Sequence, residues 1–291
     1  MRPPKTQFKS IFIFNDPLVA QVFWDRRYSM MAGYTDYDVF IVGAAGGRSG
    51  DAWGEVSSDR AYASGAGGGG SLRLKGKLSA LALDVSIIGV GAEGAAGATS
   101  ASNEAPAGHG QAGGSSVFQN GVIYEAHGGG GALGADFNIT TSSDFTAAGE
   151  GGDGGGNSAG LGAGGVGGRA TKSDPDGDVA GTAPSIGTWA VGGVAPVVGG
   201  GHGGGGGPGK VKVAGRGLIA PPYAGSDGTS GAPTWCTGFG GAPGTNGGGD
   251  GGGAGIGDFL PGVPLEAADI YGSGQSAAPN NPGGVVCIKV S

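Results

Sequence analysis

The sequence predicts a glycine-rich, mostly non-α fold: a bundle of polyglycine-II helices, which are polyproline-II-like, joined by short β-strands and hairpins. Three observations predict it. Glycine accounts for 74 of the 291 residues, about a quarter of the chain against a usual ~7%. Many of these glycines recur at every third position, as in Gly91, Gly94, Gly97, or Gly200, Gly203, Gly206, Gly209. Short runs of alternating apolar residues stand between the glycine stretches, as strands do.

The triplet spacing carries most of the weight. A polyproline-II-type helix turns once in three residues and rises ~3.1 Å per residue, so a third-position glycine column leaves one face free of side chains. Such faces can meet backbone to backbone. The helix has no internal hydrogen bonds, so a buried one must bond its N–H and C=O groups to its neighbours. Collagen would need an unbroken Gly-X-Y frame rich in proline, whereas here the runs are short and Pro totals 16. Disorder is the other alternative for a chain so rich in glycine, which loses the most backbone entropy and brings no apolar area, and the intervening strand signals argue against it.

Those strands can be placed in order. Residues 11–14 form an apolar run, Asn15-Asp16-Pro17 supplies turn chemistry, and a second apolar run covers 18–24. Leu72 and Leu74 alternate, as do Leu81, Leu83, Val85 and Ile87. Residues 117–124 read as a hairpin about Asn120-Gly121. Val211 and Val213 alternate with lysines, and 285–290 make a closing strand.

Composition also divides the chain. No glycine precedes Gly33, while nine of the aromatic residues fall in the first 40 positions. The expected organisation is a glycine-free attachment segment over 1–32 and a polyglycine-II domain over 33–291. Residues 1–31 carry a net charge of +3 and the remainder −10, and an acidic body is unsuited to nucleic acid. Phe8, Phe12, Phe14, Phe23 and Trp24 are the candidate attachment residues; they either dock onto another protein or cap one end of the body. Residues 11–14 are too short an apolar run for a secretory leader, and no stretch reaches membrane-spanning length. Cys236 and Cys287 are compatible with one disulfide or with two buried thiols.

The order of pieces, Tyr37-Asp38-Val39-Phe40-Ile41-Val42-Gly43-Ala44-Ala45-Gly46-Gly47, then Gly67-Gly68-Gly69-Gly70 running into 72–88, then Gly89-Val90-Gly91-Ala92-Glu93-Gly94, the 115–125 hairpin, His127-Gly128-Gly129-Gly130-Gly131 and the terminal Pro282-Gly283-Gly284 strand, resembles the glycine-rich minor tail proteins of long-tailed phages of actinobacteria. The body is also similar to the polyglycine-II tip adhesins of T-even phages. The resemblance covers about 37–291. It implies a virion structural protein at the tail tip or fibre, held by other tail proteins and contributing to recognition of a host cell-envelope receptor, whether protein or glycan. It further implies several copies per virion, with a homotrimer among the candidates. A secreted glycine-rich bacterial surface protein and a purely structural tail scaffold are the alternatives.

Chemical motifs are sparse. Residues 89–94 match GxGxxG, but residues 95–114 are rich in Gly, Ala and Ser rather than helical, against a dinucleotide site. Residues 204–210 lack the Ser or Thr of a phosphate-binding loop, and 174–178 and 252–258 each depart from calcium-loop spacing. His109, His127 and His202 each adjoin glycine and read as exposed turn residues. No nucleophile, base and orienter assemble by spacing, so no catalysis, cofactor or metal is expected. Trp189, Tyr223, Trp235 and Tyr271 lie where glycine periodicity is weakest, and are the candidate receptor-contact loops. Each either binds a receptor or plugs an end of the bundle.

Overall fold

The computed structural model describes residues 10–18, 21–53, 60–100, 106–135, 149–168, 183–209, 211–213, 217–219, 248, 250–255, 270–272 and 281–291. Among them helix is confined to one α-helix, α1 (Arg26–Met31), and a 3-10 turn at Leu78–Ala80. The chain is mostly non-α, as expected, but its strands build larger sheets than the sequence suggests.

Two antiparallel sheets face each other. The first runs in the order β1 (Ile11–Phe14), β16 (Val285–Val290), β3 (Asp36–Val42), β6 (Ser71–Lys77), β11 (Val197–Gly201), β10 (Trp189–Val191). The second runs β2 (Val22–Asp25), β7 (Val85–Gly89), β8 (Ser116–Asn120), β9 (Val122–Ala126). Period-2 alternation sends Tyr37, Val39 and Ile41 of β3, Leu72 and Leu74 of β6, and Val286, Ile288 and Val290 of β16 into the space between the sheets. There they meet Trp24, Ile88 and Phe118 from the second sheet. Phe118 is 1% exposed, and Val39, Ile41, Leu72, Leu74 and Ile288 are 0% exposed. A conventional side-chain core therefore sits at this end of the molecule.

The opposite residues of the same strands, Phe40 and Val42, Val285 and Cys287, form a second cluster on the outer face of the first sheet. It is closed by Ala254 and Tyr271, which pair across β14 (Ala254–Gly255) and β15 (Ile270–Tyr271). A further small sheet orders β13 (Gly217–Ile219), β12 (Val211–Val213), β5 (Arg60–Ala61), β4 (Ala52–Trp53).

Residues 10–18 and 21–32, the described part of the first 32, are built into both layers. β1 pairs with β16 in one sheet and β2 pairs with β7 in the other, so the N-terminal segment supplies a strand to each layer. The expected boundary at residue 32 is thus a change of composition rather than a boundary of the fold. Strand β7 also starts later than the alternation predicts: Leu81 closes the 3-10 turn and residues 82–84 bend before Val85. The hairpin at 120–121 is present, with Gly121 turning the chain at φ +73, a region disfavoured for other residues.

Every strand that leaves the sandwich toward one pole continues as a glycine segment. β3 runs into 43–50, β7 into 90–100, β9 into 127–135 and β11 into 202–209, while 63–70 enters β6 and 106–115 enters β8. These segments lie side by side, bonded to one another and not internally. Their donors repeat at every third residue. Gly67 N–H donates to Gly130 O and Gly70 N–H to His127 O; Gly65 N–H donates to Gly207 O and Gly68 N–H to Gly204 O. Gly94, Gly97 and Ser100 donate in the same rhythm to Ala45, Arg48 and Asp51.

Successive residues address different neighbours. Gly46, Gly47 and Ser49 donate to Gly67, Gln111 and Ser64 respectively. Residues 63–70 are enclosed by 43–50, 127–133, 150–156, 203–207 and 248–251 through such bonds. This is how a quarter of the chain can be glycine and still satisfy its buried backbone groups. The triplet frame shows in the burial: Gly91 and Gly94 are buried, whereas Ala92, Glu93, Ala95 and Ala96 are exposed.

Glycine is required by closeness of approach. A Cβ on Gly203 would fall on Gly68 O and one on Gly206 on Gly65 O, inside the 3.0 Å that real Cβ atoms essentially never breach. An ion pair lies in this layer: Arg48 Nε is 3.2 Å from Asp250 Oδ1, without the alignment of a hydrogen bond. Asp250 is fully buried and its Oδ1 accepts from Ala66 N–H at 2.8 Å, which ties 43–50, 63–70 and 248–253 together.

Candidate functional site

The candidate attachment residues divide by face. Trp24 is 4% exposed and makes an edge-on contact with Phe12, ring centroids 6.1 Å apart. Phe12 and Phe14 pack against the inter-sheet core. These three are structural residues, because strand alternation on β1 and β2 aims them inward. Phe23, between Trp24 and Val22 in sequence, points outward and is 65% exposed. Phe8 lies outside the described residues. Leu18, Tyr28 and Met31 are also largely exposed, so the N-terminal strands and α1 present apolar surface through residues other than most of those expected.

Two of the four candidate receptor-contact residues lie among the described residues. Tyr271 is 7% exposed in the cluster around Phe40, and its hydroxyl accepts from Asn15 Nδ2 at 3.1 Å. Trp189, on β10, is half-buried at 6.5 Å from Phe40 and lies over Gly199 and Gly201 of the neighbouring strand. Both belong to the outer face of the first sheet, and neither is a free loop residue. Pairing with strands, which short apolar runs of this kind favour, overrides the loop reading. Tyr223 and Trp235 lie outside the described residues. The nearest described positions on either side of them are Ile219, on β13 of the small sheet β13-β12-β5-β4, and Gly248, whose N–H donates to Ala63 O.

The histidines serve the glycine layer. His202 is half-buried, its ring against Gly156 and Gly164; burial, and secondarily His127, pushes its pKa below the usual imidazole value. His109 Nδ1 accepts from Gly134 N–H at 2.9 Å, and His127 Nδ1 lies 3.6 Å from Glu125 Oε1. Among the described residues no three His, Cys, Asp or Glu side chains converge as metal ligands. The GxGxxG stretch leaves β7 as an extended glycine segment, so no helix N-terminus faces a phosphate there. Residues 174–178 lie outside the described residues, as do 256–258 of the second calcium-like stretch. Cys287 is buried on β16, and Cys236 lies outside the described residues. No described helix is long and apolar enough to cross a membrane.

Two features escape sequence reading. One is the salt-bridged group on the outer face of the first sheet, where Arg73 reaches Asp38 at 2.6 Å and Lys75 joins at 3.2 Å. The other is a pair of adjoining clefts of about 410 Å³ and 330 Å³ that share Tyr124, Ala195 and Pro196. Tyr37 opens into the larger one, its hydroxyl pKa raised by burial and by Tyr124. Neither feature has a sequence signature, since each depends on strand order. The chain matches no known protein-family model, and no curated protein is significantly similar to it in sequence.

Proposed function

We propose that this chain is a non-enzymatic virion protein, a minor tail subunit at the tip or fibre of a long-tailed phage, and that its glycine layer is a bundle of polyglycine-II helices. The observation that carries the proposal is the three-residue rhythm of inter-segment hydrogen bonds, which is the bonding a threefold helix requires when packed against parallel and antiparallel neighbours. The resemblance to glycine-rich tail proteins supplies the biological role.

The architecture supports a division of roles. At the sandwich, the exposed Leu18, Phe23, Tyr28 and Met31 offer apolar surface for other tail proteins. Ile219 of β13 and Gly248 flank in sequence the stretch that holds Tyr223 and Trp235, our candidates for contact with the host envelope. The hydrogen-bonded glycine layer is a rigid spacer, and loops on a rigid scaffold bind without a large ordering cost. Multiple copies would raise avidity.

Sedimentation of the purified chain with host cell envelopes tests the adhesive reading. Binding is expected, weakened by about 1–2 kcal/mol or more on Tyr223→Ala or Trp235→Ala if either is a hot spot, and unaffected by Phe23→Ala. Absence of binding, from a chain that is incorporated into virions, would assign the protein to scaffolding alone.

A further inference from the structure

The second sheet has four strands against six in the first. β9 is its edge, and beside it β11 and the 192–196 turn of the first sheet are left facing the two clefts. The edge is already partly extended. Glu125 N–H donates to Ser158 Oγ at 2.9 Å, Ser158 N–H donates to Glu125 O at 2.8 Å, and Ala126 bridges Asn157 in antiparallel fashion. The chain then turns away, with Gly160 and Gly162 both at positive φ, so pairing ends after two residues.

Strand alternation sets what remains. Glu125 turns its N–H and C=O outward, and therefore so does Ile123, two residues earlier. Outside its pairing with β8, Ile123 makes no backbone hydrogen bond among the described residues, and it is 54% exposed. Below it, Tyr124 and Val122 flank the groove. Gly76 of β6, the next inward position after Leu74, brings no side chain to the groove floor, and a register shift between Val197 and Gly199 bends β11 there.

We propose that this groove takes an extended peptide segment of another polypeptide, which pairs antiparallel with β9 at Ile123 and continues the line begun by Asn157 and Ser158. The residue opposite Ile123 points to solvent. Its two neighbours point into the clefts on either side of the Tyr124 and Pro196 ridge, as alternate side chains of a strand do. The smaller cleft is walled by Ala159, Leu161, Val194 and Val197 and suits an aliphatic side chain. The larger, with Tyr37, Leu81, Val122 and Lys77, suits an aromatic one. Reading from N to C along an antiparallel segment, the occupant carries aliphatic–x–aromatic. Lys75 and Lys77 are each paired with an aspartate, so no anionic group is called for. The proposal does not depend on the tail assignment.

A random ten-residue peptide library, panned on the full chain, tests it. Enriched peptides are expected to share the aliphatic–x–aromatic spacing, to slow exchange of the Ile123 amide, and to bind Ala159→Arg at least tenfold more weakly. Ala159 is exposed and bonds only through its backbone, so this variant should melt with the native chain; Val194→Asp, at a position 79% exposed, is the second block if it does not. No enrichment, enriched peptides without the spacing, an unchanged Ile123 amide, or full binding to both blocked variants would overturn the proposal.

Discussion

Asn15 donates from Nδ2 to the Tyr271 hydroxyl over 3.1 Å, which joins the turn after β1 to the cluster that closes the outer face of the first sheet. The N-terminal segment is thereby fastened on both sides: through Phe12, Phe14 and Trp24 to the inter-sheet core, and through Asn15 to the second cluster. Deletion of residues 1–32 should therefore unfold the sandwich rather than release an intact body. The check is differential scanning calorimetry of the truncated chain. Cooperative melting at the full-length midpoint would mean that β1 and β2 are dispensable.

Gly203→Ala should cost at least about 2 kcal/mol, because its Cβ would collide with Gly68 O and the backbones would have to part, stranding their bonds. Gly193→Ala, where nothing lies within 4 Å, should leave stability unchanged or slightly raised. Chemical denaturation of the two variants distinguishes a close-packed glycine layer from a loose one. Equal stabilities would argue for the loose one.

Asp250→Ala should destabilise by about 2–4 kcal/mol, since it leaves Arg48 without its buried counter-charge and Ala66 N–H without an acceptor. Arg48→Met should cost at least as much as Asp250→Ala, because it leaves the fully buried Asp250 carboxylate without its cation, whereas Arg48 left alone is partly exposed and keeps its bond to Gly248 O. The urea midpoints of the pair give the order, and the reverse order would contradict the role given to Asp250.

Burial lowers the His202 pKa in the folded state, with His127 adding to the shift. The unfolded chain then binds the extra proton first. Stability is full above the ordinary imidazole value of ~6.5 and falls as pH drops below it, levelling off once the folded-state pKa is passed. Asp25 and Asp36, held below the carboxylate range by hydrogen bonds from Arg27 and from Lys77, contribute losses only at lower pH. Thermal melts between about pH 7.5 and pH 5 should show a decline that His202→Gln flattens. An unchanged slope in that variant would place the titration elsewhere.

Much of the fold is legible in the sequence, and its limits have physical causes. Leu72 and Leu74, the 120–121 turn and the 285–290 run lead directly to β6, the β8–β9 hairpin and β16, because local pattern decides a strand. Strand order is a tertiary property, so nothing local says that β1 and β2 join different sheets or that Trp24 faces Phe118 and Phe12 rather than a partner. Tyr271 and Trp189 look like loop residues for the same reason: each is buried by a strand, β3, that is remote in sequence. The triplet glycines announce close backbone contact, yet which segments meet which is set by the sandwich that launches them. The clefts beside β9 exist only because one sheet has fewer strands than the other.

Immunogold electron microscopy of virions, with antibody raised against this chain, is the decisive test of the tail assignment. Label is expected at the tail tip or fibre, and only there. Virions that carry no label on the tail, under conditions where a known tail protein is labelled, would contradict it.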